Sequence, residues 1–81
     1  MTAKEKFDAI GWEDISEDIS PEDHYYVTYK TYKKHYALIE FFDNGLFGKN
    51  VEAEILGEGY PLSMKELDAI YTQCKELGWI E

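Results

Sequence analysis

Three groups of residues in this sequence have side chains that could take part in catalysis or metal binding: one cysteine, two histidines and a run of acids. Cys74 belongs to a series of apolar residues at helical spacing, so we expect it to be buried as a small hydrophobic side chain. A nucleophilic cysteine would instead need an electropositive, partly exposed setting. His24 and His35 fall in neighbouring predicted strands, but a zinc site uses three or four protein ligands. We therefore predict that the chain is not an enzyme, with no catalytic residue, no cofactor and no metal site.

Six acids crowd into residues 13–23. The alternation of Asp and Ser from Asp14 to Ser20 imitates the first ligands of a calcium loop, but Ile19 and Tyr25 stand where that loop needs Gly and Glu. We expect a solvated acidic loop, with a brief helical turn before Pro21 as the alternative. Its carboxylates are candidate partner-binding residues: Glu13, Asp14, Glu17, Asp18, Glu22 and Asp23.

Charge is the compositional extreme, with 17 acids, 8 Lys+Arg and a net charge of −9. A chain this acidic repels phosphate backbones and anionic membranes, so direct nucleic-acid binding and membrane adsorption are disfavoured. The N-terminus lacks the apolar core of a signal peptide, and one cysteine suits a reducing compartment. We expect a cytoplasmic protein with a single α+β domain over residues 1–81.

Two glycine–tryptophan pairs mark the ends of two predicted helices. The first helix covers residues 3–10, opens at a Thr2–Glu5 capping box and stops at Gly11. The last helix opens at a Ser63–Glu66 capping box and stops at Gly78. At both ends we expect the glycine to be left-handed and the following Trp12 or Trp79 to be largely buried. The apolar face of the last helix is predicted to comprise Leu67, Ile70, Tyr71, Cys74 and Leu77.

Between the helices the sequence predicts an antiparallel meander of three strands, at residues 24–30, 35–42 and 51–55. Residues 31–34 are expected to form the first turn, Asp43-Asn44-Gly45 signals a hairpin, and residues 57–61 read as a linker. The fold class is thus α+β: a short N-terminal helix, a three-stranded sheet and a longer C-terminal helix.

Two short helices cannot easily cover both faces of such a sheet. If alternate apolar residues face the helices, then some of Tyr26, Tyr36, Leu38 and Phe42 point the other way, rimmed by Lys30, Lys34 and Glu40, as an apolar protein-binding patch. The alternatives are one helix on each face, or a sheet that curls over itself.

The two ends of the chain resemble a group of known sequences. The runs LSMKELDAI (62–70) and ELGW (76–79) resemble the ending of many short, uncharacterised phage and prophage proteins of Gram-positive bacteria, and EKF (5–7) with IGW (10–12) resembles their beginning. The resemblance lies in capping and packing residues. It implies a bacterial host cytoplasm as the setting and carries no activity or site residue with it.

We predict a non-enzymatic protein-binding module, a phage-encoded modulator acting on a host protein. In its sharper form the acids of residues 13–23 replace phosphates and make the chain a DNA mimic for a basic groove. The alternative is single-stranded nucleic-acid binding, with tyrosine rings stacking bases beside Lys30, Lys33 and Lys34. Neither the partner nor the oligomeric state follows from the sequence.

Overall fold

A computed structural model describes residues 1–16, 27–43 and 48–80 of the chain. The architecture is α+β: a short N-terminal helix, a five-stranded antiparallel sheet and a longer C-terminal helix. The elements in chain order are α1 (Ala3–Ala9), β1 (Glu13–Asp14), β2 (Val27–Lys34), β3 (Ala37–Asp43), β4 (Lys49–Ile55), β5 (Glu58–Gly59) and α2 (Met64–Glu76). In the described residues, no helix is long and apolar enough to cross a membrane.

Both helices begin and end as their sequences predict. Thr2 with Glu5, and Ser63 with Glu66, form complete capping boxes. At the C-terminal end of α1, Gly11 has a φ of 89° and the Trp12 amide donates to the carbonyl of the third residue before the cap, at 2.9 Å. The end of α2 repeats this geometry, with Gly78 at φ 77°. These paired bonds are Schellman motifs, which only a residue tolerant of left-handed backbone can close without strain.

The sheet has five strands in the order β1-β2-β3-β4-β5, so the prediction of three was wrong. The two additional strands are two residues long and lie at the edges, in segments predicted as an acidic loop and a linker. Residues 31–34, predicted as a turn, belong to β2, and the chain reverses instead at His35 and Tyr36. The predicted Asn44-Gly45 hairpin signal lies outside the described residues, although β3 and β4 do pair in antiparallel orientation.

A β-bulge in β2 decides which side chains share a face. The register shifts between Thr28 and Lys30, so Thr28 pairs with Phe42 whereas Lys30 pairs with Phe41. Directly paired residues point to the same face, and neighbours along a strand point to opposite faces. Lys30, and likewise Lys34 through its pairing with the buried Ala37, therefore lie on the same side of the sheet as the helices, which contradicts the prediction that they rim the other face.

Both helices pack on one face of the sheet. Phe7 of α1 and Ala69 of α2 belong to the same buried cluster as Tyr32, Ile39 and Phe41 of the sheet. The arrangement with one helix on each face is thus not observed. Trp12 is 1% exposed, as predicted, and Trp79 is half-buried against the cluster. We refer to the side of the sheet away from the helices as the outer face.

The inward side of α2 differs from the predicted one, because two of its three buried residues are polar: Glu66 and Gln73 accompany Ala69. Glu66 accepts a hydrogen bond from Trp12 Nε1 at 2.9 Å, and Gln73 Oε1 accepts one from the Tyr32 hydroxyl at 2.6 Å. These polar groups satisfy donors that the large rings bring into the core.

The helix is consequently turned relative to its predicted apolar face. Ile70, Cys74 and Leu77 still pack against the edge of the core, but Leu67 and Tyr71 are exposed. Apolar side chains that the sequence assigned to the interior thus lie on the outside of α2.

Candidate functional site

The acidic segment is described only at its start, where its two members differ. Glu13 is exposed on the edge strand β1, opposite Lys33. Asp14 is half-buried and accepts hydrogen bonds from the amide and hydroxyl of Ser16 and from Lys30 Nζ, the last at 3.1 Å. Burial would raise the pKa of Asp14, but these hydrogen bonds and the lysine charge outweigh it and lower the pKa. Asp14 is therefore an ionised structural residue that holds β1 to β2.

The other acids of this segment, Glu17, Asp18, Glu22 and Asp23, lie outside the described residues, as does Tyr26. In the described part of the segment, residues 13–14 form an edge strand of the sheet.

The predicted aromatic patch of the outer face separates into two different positions. Leu38 is half-buried on the central strand β3, one position from its end, with Lys33 and Glu54 as its paired neighbours. Tyr36 occupies the turn between β2 and β3, where it is 74% exposed. The two residues therefore differ in exposure, because Tyr36 stands in the turn whereas Leu38 is packed between neighbouring strands.

A second exposed apolar residue, Leu56, lies at that same end. Ala37 pairs with Ile55, so the next position on each strand is Tyr36 on one side and Leu56 on the other. Leu56 is 78% exposed and forms the two-residue β4–β5 turn with Gly57. We call Tyr36 and Leu56 together the hairpin-end pair. Leu56 is not among the residues predicted from the sequence, because the Gly- and Pro-containing residues 57–61 predict a linker rather than a hairpin.

The backbone at the hairpin-end pair is unusual as well. Leu56 has a φ of 50° and Gly57 a φ of 83°, the pattern of a type I′ turn. His35, next to Tyr36, has a φ of 53°. Left-handed backbone costs an ordinary L-residue about 1–2 kcal/mol, and the usual residues at these turn positions are Asn, Asp and Gly. A leucine in this conformation gains almost no burial in return.

A larger apolar surface lies on the outside of α2. Its exposed members are Met64 (79%), Leu67 (43%), Tyr71 (53%) and, beyond the helix, Ile80 (40%). Together with Ile70, Cys74 and Asp68 they line one open groove along the helix. We call this surface the outer α2 face.

Hydrogen bonds and burial set the protonation of the titratable groups near α2. Burial opposes ionisation of Glu66, but hydrogen bonds from Ser63, Trp12 and Tyr60 lower the pKa of its carboxyl overall. Burial raises the pKa of the Cys74 thiol, which keeps it protonated at neutral pH. Within the described ranges, no three His, Cys, Asp or Glu side chains lie close enough together to hold a metal ion.

The nucleic-acid alternative depends on tyrosine rings and lysines of the sheet. Tyr32 is fully buried and stacks on Phe7 with ring centroids 3.9 Å apart, so it cannot stack on a base. Lys30 is engaged with Asp14, whereas Lys33 is exposed.

Comparison of the chain with protein-family models, with curated proteins and with solved structures finds no match. The resemblance to phage proteins stays a prediction, and a functional proposal rests on the chain's own surfaces.

Proposed function

We propose that this chain is a non-enzymatic protein-binding module that contacts its partner through the hairpin-end pair, Tyr36 and Leu56. The observation that carries the proposal is Leu56, a bulky apolar residue held in left-handed backbone and 78% exposed. Folding alone favours Asn or Gly at this position. Backbone strain combined with an exposed apolar side chain is typical of a residue kept for binding.

The chemistry of the hairpin-end pair fits a protein partner. Tyrosine is among the residues that most often dominate protein interfaces, since its ring buries a large area with little loss of side-chain freedom. Lys33 on β2 and Glu58 on β5 are exposed nearby, so the rim carries both charge signs. A mixed rim around an apolar centre is the usual arrangement of a protein interface.

A DNA-mimic form of this function is less well supported. Asp14 is paired with Lys30, so it does not offer a free carboxylate in place of a phosphate. Single-stranded nucleic-acid binding is also less well supported, because Tyr32 is buried in the core and cannot stack on a base. The resemblance to phage proteins is the basis for proposing that the partner is a protein of the bacterial host and that the chain acts in the host cytoplasm.

The test is affinity capture from a Gram-positive bacterial lysate with matched variants. We expect a captured protein to be lost with Leu56→Asn and with Tyr36→Ser, because each removes an exposed apolar contact without disturbing the core. Glu52→Gln is the control, since Glu52 is exposed within β4, away from the turns. Capture that survives both hairpin-end substitutions contradicts the proposed surface.

Two other outcomes identify the alternatives. Loss of capture only when the acids of residues 13–23 are neutralised would support mimicry. Nuclease-sensitive recovery of nucleic acid, with no protein captured, would overturn the protein-binding function itself.

A further inference from the structure

We propose that two copies of this chain associate through the outer α2 face, in antiparallel orientation about a two-fold axis close to Tyr71. The proposal goes beyond the hairpin-end surface and involves none of its residues. It starts from the exposed side chains Met64, Leu67, Tyr71 and Ile80, which the inward polar residues Glu66 and Gln73 leave outside the core. Exposed apolar residues that line one groove on a small chain are typical of an interface.

The charges around this face are compatible with a second copy of the same chain. The net charge of −9 makes most of the chain repel itself, but the exposed charged residues of α2 are balanced, with Lys65 and Lys75 against Asp68 and Glu76. Lys75 places its Nζ 5.4 Å from the centre of the Tyr71 ring and forms no ion pair with a described residue. Asp68 pairs with Lys6 at 2.9 Å while its side chain stays 62% exposed.

An antiparallel arrangement makes this face complementary to itself. Asp68 and Lys75 are equally far in sequence from the midpoint between Tyr71 and Thr72. A two-fold axis at that midpoint therefore sets Lys75 of each copy opposite Asp68 of the other, twice in one interface. The same axis reverses the groove, so that Met64 at its start meets Ile80 at its far end. The two Tyr71 rings lie closest to the axis.

The available area sets the strength of the association. A fully exposed large side chain presents about 150–250 Å², so the exposed parts of Met64, Leu67, Tyr71 and Ile80 offer roughly 400 Å² per copy. Two copies bury about 800 Å² through these side chains, and the flanking Asp68 and Lys75 bring the total toward the lower limit of about 1,000 Å² for a specific interface. We expect a micromolar, reversible dimer. Added salt screens both the repulsion between two copies of net charge −9 and the two Asp68–Lys75 pairs. Because exposed ion pairs contribute only about 0–1 kcal/mol each, the screened repulsion is the larger effect and salt strengthens the dimer.

Sedimentation velocity of the purified full chain, over a range of concentrations at low and high salt, tests the proposal. We expect a dimer whose fraction increases with salt. Leu67→Ser and Tyr71→Ser should each shift it to monomer while circular dichroism and the melting temperature stay close to those of the wild type. Leu56→Asn is the matched control, because it removes an exposed leucine elsewhere and should leave the dimer intact.

A charge exchange checks the orientation of the two helices. Lys75→Glu should weaken the dimer, and adding Asp68→Lys to it should restore association. A monomer at every concentration and salt, or a dimer that survives Leu67→Ser and Tyr71→Ser, would overturn the proposal. So would a dimer that dissociates as salt is added. None of these results affects the hairpin-end pair, whose own test is the loss of partner capture.

Discussion

Replacing Leu56 by Asn should stabilise this protein, although it removes a large apolar side chain. Asn tolerates left-handed backbone, so the substitution relieves most of a penalty of about 1–2 kcal/mol at φ 50°. It also creates Asn-Gly, the favoured sequence of a type I′ turn. Because Leu56 is 78% exposed, the burial that is lost is worth only about 0.5 kcal/mol. The net gain is about 0.5–1 kcal/mol, which corresponds to roughly 3–6 °C in melting temperature.

Thermal melts of the wild type, Leu56→Asn and Leu56→Ala measure this effect. The alanine variant loses the same contacts but lacks the short polar side chain that lets Asn hydrogen-bond locally in the left-handed conformation, so it should melt at or slightly below the wild type. The difference between the two variants therefore isolates the backbone term. If Leu56→Asn melts no higher than Leu56→Ala, the turn carries no strain at this position. The structural argument for a binding role of Leu56 then fails with it.

Three further substitutions test the interior and the helix ends. Glu66→Gln should cost about 2 kcal/mol, since it weakens a charge-assisted hydrogen bond from Trp12. The ionised carboxylate is the stabilising form, so the difference in melting temperature from the wild type should shrink as the pH falls below about 4.3 and through the lowered pKa of Glu66. A difference that does not depend on pH would contradict this. Gly78→Val should cost about 2 kcal/mol or more in urea unfolding, because a β-branched residue resists φ 77°, and unchanged stability would refute the capping role. Thr31→Val should stabilise by about 1 kcal/mol, since the buried Thr31 Oγ1 has no hydrogen-bond partner among the described residues; a urea midpoint below that of the wild type would contradict this.

The outer α2 face illustrates where sequence periodicity stops being informative. Leu67 and Tyr71 share a helical face with Ile70 and Cys74, so an apolar pattern alone assigns all of them to the core. Two aromatic donors, Trp12 and Tyr32, need acceptors inside, and Glu66 and Gln73 supply them. The need for these buried acceptors sets the rotation of α2 about its axis, and it cannot be read from the sequence of the helix alone.

Of the hairpin-end pair, Tyr36 could be predicted from the sequence but Leu56 could not. Its aromatic ring and its place in a strand-like run predict Tyr36 as a partner-binding residue, but it is exposed because it lies in the turn between β2 and β3. Leu56 carried no signal, because the two-residue strand β5 has no periodicity of its own and forms only by pairing with β4.

Local signals in the sequence are sufficient for the helix ends, for the existence of three long strands and for the α+β class. Capping boxes and left-handed glycines act within a few residues, and strand alternation needs only the local chain. Tertiary structure alone decided the number of strands, the placement of both helices on one face and the bulge that directs Lys30 toward Asp14. It also decided which apolar side chains stay exposed. These features depend on pairing between distant segments, whose free energy appears only when the partners meet.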